Sequence, residues 1–151
     1  MLGKVYDDEV CSAARALEVV GERWTLLILR EAAFAGSRRY KDFQSRLKIA
    51  SNILTNRLAD LVDAGVMERI DGEYALTEKG LDFVPAIVAL TQWGDKWNAP
   101  NGPPVYYTHK TCGGDVSAIL VCDECGTVHE RGDVQVRLGP GMPPERVADA
   151  G

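Results

Sequence analysis

The chain has 151 residues, 46% hydrophobic and 26% charged, with a net charge of −5. That is enough for one ordinary domain, or one domain with a small appendage, built round a buried core. No run of about 18 apolar residues offers a membrane span, and the start MLGKVYDDEVCSAAR lacks the apolar core of a secretion signal, so a cytoplasmic protein without membrane contact is expected.

Taken in chain order, Asp8 to Val20 carries apolar residues at 10, 13, 14, 17 and 20, which is helical spacing stopped by Gly21. WTLLILREAAF is a second helix, ended by Gly36. RRYKDFQSRL makes a short third helix with Tyr40, Phe43 and Leu47 inward. Ser51 is suited to cap a fourth helix that ends near Gly65. The period then changes to two. VMERI and EYAL flank Asp71-Gly72, the dipeptide of a two-residue hairpin. Thr77 in TEKG caps a fifth helix running to about Trp97, which Pro85 should bend. NAPNGPP is a linker. Short strands and turns follow it, and MPPERVADAG reads as a frayed end. The expected organisation is residues 1–99 as the main domain and 100–151 as a linker with a small, β-rich, ribbon-like tail. The fold class is mainly α with one small hairpin.

Charge is unevenly spread. Between Gly36 and Arg57 stand Arg38, Arg39, Lys41, Arg46, Lys48 and Arg57 against Asp42 alone, a local +5 in an acidic chain. Such a patch steers an approaching polyanion whatever the net charge. On a helical wheel of the fourth helix, Leu58, Leu61, Val62 and Gly65 fall within about 80° of Leu54 and form the buried stripe. Asn52 and Asn56 lie opposite, with Thr55 on the flank. Ser51, Asn52, Thr55 and Asn56 therefore make a small polar face at the helix N-terminal half. That is the part of a recognition helix which enters a major groove, and asparagine suits adenine. Arg38, Arg39 and Lys41 are placed to hold phosphates, Arg57 to reach a base or phosphate, and Arg69 is the one base of the hairpin. Any one helix of this kind also occurs in an ordinary bundle. Two short helices, a third with a polar face, and a tight hairpin in that order make a winged helix-turn-helix.

Three stretches carry a family resemblance: CSAARALEVVGERWTLLILREAAFAGSRRYKDFQSRL, IASNILTNRLADLVDAGVMER and YALTEKGLDFVPAIVALTQWG. Over about residues 8 to 97 the chain resembles the HxlR-type winged-helix transcription regulators, relatives of the MarR regulators. The resemblance implies a non-enzymatic regulator. It would bind double-stranded DNA as a homodimer on two half-sites, and its first and last helices would form the dimer. The Asp71-Gly72 wing is shorter than many in that family, and it carries Asp71 and Glu73. Leu81, Val84, Ile87, Val88, Leu90, Trp93 and Trp97 give the fifth helix more apolar surface than one small neighbour covers, which points the same way.

The cysteines divide into three and one. HKTC and CDEC place His109 and Cys112, then nine intervening residues, then Cys122 and Cys125, a ligand set for a tetrahedral structural zinc. His129 competes with His109 for the fourth position. A redox-active C-x-x-C pair, or free thiols, is the alternative. The zinc deaminase pattern is absent, as is any phosphate loop or nucleophile elbow. Cys11 stands alone near the start of the first helix. It is either a small buried residue or, as the resemblance implies for some members, a sensor of oxidants or electrophiles. A small-molecule effector fits the same picture. The competing reading is a zinc-ribbon adaptor for another protein, with the winged helix as scaffold.

Overall fold

A computed structural model describes residues 10–143. The chain divides between Ala118 and Ile119 into two compact units. Residues 100–118, expected with the tail, thus belong with the helices.

The first unit is a winged helix-turn-helix. Helices α1 (Ser12–Val20), α2 (Arg23–Phe34), α3 (Tyr40–Leu47) and α4 (Ser51–Asp63) precede an antiparallel hairpin of β1 (Met67–Ile70) and β2 (Glu73–Leu76). Two helices follow, α5 (Glu78–Leu81) and α6 (Val84–Asn98). α2 is the axis of the unit and packs against α1, α3, α4, α6 and β2. Its Ile28 and Leu29 meet Phe43 of α3, Leu54, Leu58 and Leu61 of α4, Met67 of β1 and Ile87 of α6 in one buried cluster. Each such side chain contributes about 1.5–3 kcal/mol by leaving water. The three leucines of α4 thereby fix which face of that helix remains outside.

The hairpin is as tight as its dipeptide requires. Ile70 pairs with Glu73, and both Asp71 (φ 52) and Gly72 (φ 83) take the left-handed conformation of the mirror-image two-residue turn. Thr77 caps α5 by accepting a hydrogen bond from the Gly80 N–H.

Three expectations change. Ser51 is the first residue of α4, and its N-cap is Ala50, which gives no side-chain cap. The Ser51 hydroxyl instead accepts from Gln44 Nε2 at 2.6 Å, while the Tyr40 hydroxyl donates to the Ser51 carbonyl at 2.9 Å. Side chains of α3 brace this turn, so the serine is not needed as a cap. The single bent fifth helix is two helices. α5 ends at Leu81, and Pro85 lies in the first turn of α6, where the missing N–H costs nothing. The first helix begins at Ser12 with Cys11 as N-cap; its expected first residues 8 and 9, and the expected frayed end beyond residue 143, lie outside the described residues.

In the second unit, β3 (Val121–Cys122) pairs with β4 (Gly126–Thr127), and a 3-10 turn spans Arg131–Asp133. No helix among the described residues is long and apolar enough to cross a membrane.

Candidate nucleic-acid interface

The outer face of α4 carries Ser51, Asn52, Thr55 and Asn56, all exposed. The Thr55 hydroxyl lies 3.3 Å from that of Tyr40. The amides of Asn52 and Asn56 are left to solvent, with four hydrogen-bonding positions each. α4 also begins without a side-chain cap, so its first N–H groups and the positive end of its dipole face outward.

The basic residues sit on the approach to this face. Arg38 and Arg39 precede α3, and Lys41 lies in its first turn; all three are exposed. Asp42 organises them from within. Its Oδ2 accepts the N–H of Arg39 at 2.8 Å and that of Arg38 at 3.2 Å. Those two backbone bonds, helped by the charges of Arg39 and Arg46, hold its carboxyl below the usual range. The carboxylate thus serves the backbone and leaves the guanidinium groups to point elsewhere. Lys48, between α3 and α4, adopts φ 51 and is exposed in the turn that joins them.

The wing meets this cluster. The Tyr74 N–H donates to the Arg38 carbonyl at 2.7 Å, and Arg39 Nε donates to Glu73 at 3.0 Å. Arg69 lies over the Tyr74 ring, 5.4 Å from its centroid. Arg57 is occupied. Its guanidinium is 2.7 Å from Asp60 and 3.6 Å from Glu22, and it is turned along the helix surface rather than away from it. The bracing residues Tyr40 and Gln44 were not legible as site residues. The apolar spacing of α3 places Tyr40 inward, and its polar tip is the signal that such a ring ends at a partner.

Cys11 and Cys112 belong to the first unit, Cys122 and Cys125 to the second. Cys11 is exposed, which removes the reading of it as a small buried residue. His109 Nδ1 lies 3.2 Å from Cys112 Sγ in a turn closed by the Gly113 N–H on the His109 carbonyl. In the second unit the Cys122 sulfur receives the N–H of Cys125, then that of Glu124, then the Cys125 thiol, and is held below its ordinary pKa. Gly126, at φ 84, turns the chain after Cys125. His129 is exposed after β4. Among the described residues no three His, Cys, Asp or Glu side chains converge on one metal position.

The sequence pattern of the HxlR-like helix-turn-helix matches residues 19–102. The chain belongs to the HxlR-like helix-turn-helix family. This HxlR-like chain is 45% identical over 139 residues to Rv3095 of Mycobacterium tuberculosis strain H37Rv, named an HTH-type transcriptional regulator, with 87% of each chain covered. It is similar to the crystal structure of PA1607, described as a candidate transcription factor, with a TM-score of 0.74 and 36% identity over 84% of this chain and 94% of that one. It is also similar to quinone-bound YodB of Bacillus subtilis, with a TM-score of 0.51 and 28% identity over 56% and 97%. Family and relatives are transcriptional regulators rather than enzymes, and so is this HxlR-like protein.

Proposed function

We propose that this regulator binds double-stranded DNA sequence-specifically as a homodimer, reading bases with Asn52, Thr55 and Asn56 and holding phosphates with Arg38, Arg39, Lys41 and the N-terminus of α4. The supporting observation is the open polar face of α4, fixed outward by Leu54, Leu58 and Leu61 and flanked by exposed bases. Ser51 contributes through the turn it anchors. Arg69, stacked on Tyr74 on an acidic wing, adds little. For the dimer, the support is the apolar surface left on α1 and α6: Leu17, Leu90, Trp93 and Trp97 are all more than half exposed. Tryptophans so placed serve as interface anchors, and a twofold dimer sets two reading helices about one DNA turn apart.

The test is a titration of the purified protein against DNA upstream of its own gene, by fluorescence anisotropy at two salt concentrations. Tight binding that falls steeply with salt and exceeds binding to scrambled DNA supports the reading. No preference over scrambled DNA sinks it.

Two narrower readings accompany it. Cys11, exposed at the start of α1, is proposed as a thiol sensor. Its thiolate would add to a ring carbon of a quinone, forming a C–S bond and leaving a hydroquinone. The thiol proton and the displaced ring proton end on the two oxygens. Support comes from its exposure and from the quinone-bound relative. Mass spectrometry after benzoquinone treatment should find the adduct on Cys11, and an unmodified Cys11 would refute it. The ligand set read from the sequence, His109, Cys112, Cys122 and Cys125, is proposed to bind structural zinc. Support comes from their spacing and from the N–H groups gathered on the Cys122 sulfur, the environment of a thiolate ligand. Elemental analysis should find zinc that Cys112→Ser and Cys122→Ser each reduce. Zinc-free protein with reduced thiols would overturn this.

A further inference from the structure

Gln92 of α6 acts as a substitute strand. Its Nε2 donates to the Val116 carbonyl at 2.9 Å, and its Oε1 accepts from the Ala118 N–H at 2.9 Å. One residue earlier, the Thr91 hydroxyl meets that of Tyr107 at 3.0 Å, and the Tyr107 ring packs tilted on Phe34 with centroids 4.6 Å apart. The segment is also folded on itself. The Val116 N–H donates to the Tyr107 carbonyl and the His109 N–H to the Gly114 carbonyl. Residues 103–118 are thus a doubled ribbon stitched to α6 by side chains.

Between this ribbon and α6 lies a cavity of about 400 Å³, lined by residues of both. That is the size of a small-ligand site. One part of its wall is apolar: Pro103, Val105 and Tyr106. Tyr106 is 72% exposed. The other part is acidic, with Asp95 from α6 and Asp115 from the ribbon. Neither carboxylate has a hydrogen-bond or ion-pair partner among the described residues. The cavity's base, Lys96, is drawn aside, its ammonium 5.0 Å from the centroid of the Trp97 ring. Two carboxylates against one lysine leave the lining net negative, and tyrosine faces attract cations by their quadrupole. An anionic ligand would meet repulsion from both.

We propose that this cavity binds a small organic cation with an aromatic or apolar body, its charge held near Asp95 and Asp115 and its body against Tyr106. The proposal does not depend on the DNA reading, and its test contains no DNA. Isothermal calorimetry would compare benzyltrimethylammonium with phenylacetate, similar in size and opposite in charge, on the full chain. The cation is expected to bind one per chain, and phenylacetate roughly tenfold more weakly or not at all. Asp95→Asn with Asp115→Asn should weaken the cation by roughly tenfold, and Tyr106→Ala by several-fold, with circular dichroism confirming the fold. The comparison of the two ions on the unaltered chain stands even if a variant misfolds. No cation binding, equal binding of both ions, or an unaffected double variant would overturn the proposal. A cavity closed by a second copy of the chain gives the first of these.

Discussion

Arg57 of α4 reaches back to Glu22, its Nε 3.6 Å from the carboxylate oxygen that caps α2. That oxygen, Oε2, also accepts the N–H groups of Trp24 at 2.8 Å and Thr25 at 3.2 Å. The Arg57 Nε is buried and has no hydrogen-bond acceptor of its own. The pair is therefore ionic, and it ties the start of the central helix to the middle of α4.

Arg57→Ala should lower stability by about 1 kcal/mol, in the range for a partly buried charged contact. Urea denaturation measures this. The ranking of operator variants should not change. Unaltered stability with altered base preference would instead put Arg57 on the DNA.

The pair of Arg39 and Glu73 behaves differently because both are exposed. Such a bridge adds little to stability, yet Glu73 cancels a charge that a phosphate would otherwise use. Glu73→Gln is expected to strengthen binding to every DNA sequence several-fold at low salt, an advantage that fades as salt rises. Arg39→Ala should weaken binding uniformly and reduce the salt slope by about 1. Anisotropy titrations across a salt series check both. Asn56→Ala, in the same assay, should change sequence preference rather than the slope.

Gly80 has a packing reason to be glycine. A Cβ there would collide with the Val66 carbonyl oxygen and press on the Leu76 side chain. Gly80→Ala should cost about 1–3 kcal/mol, as overpacking does, because the obstacle is backbone and cannot swing away. A thermal melt matching the parent would show that α5 can shift freely.

Asp42 sets an acid limit. Its folded pKa lies below the ordinary carboxylate value, so its contribution is complete above about pH 4, where the unfolded group is already ionised. It is lost as pH falls from there through the lower folded pKa. Asp42→Asn should therefore destabilise the protein at neutral pH and make no difference once the parent is itself protonated. Urea midpoints at neutral and strongly acidic pH test the sign.

What was legible in the sequence was local. The leucine stripe of α4, the Asp71-Gly72 turn and the Thr77 cap each need only neighbouring residues, and each formed as read. Where distant groups compete, the reading failed. Ser51 looks like a cap until Gln44 and Tyr40 take its polar atoms. Pro85 looks like a bend in one helix because the apolar pattern runs on through a break at Asp82 and Phe83. Arg57 belongs to the basic segment by position, but Glu22, far earlier in the chain, claims it. The ribbon of residues 103–118 reads as part of the tail because the Gln92 and Thr91 hydrogen bonds that fasten it come from α6.

The rear end of α4 is held by residues that follow the wing. The Thr77 hydroxyl donates to the Gly65 carbonyl at 2.6 Å, and Lys79 Nζ donates to the Ala64 carbonyl at 2.7 Å. The carbonyls that α4 leaves unused are thus clamped by α5, which leads directly into α6. α4 is therefore a strut fastened at both tips, at Ser51 by Tyr40 and Gln44 and at Ala64 and Gly65 by Lys79 and Thr77, so its outer face is carried as one fixed part of the unit and a change in its direction has to be a change in the packing around it.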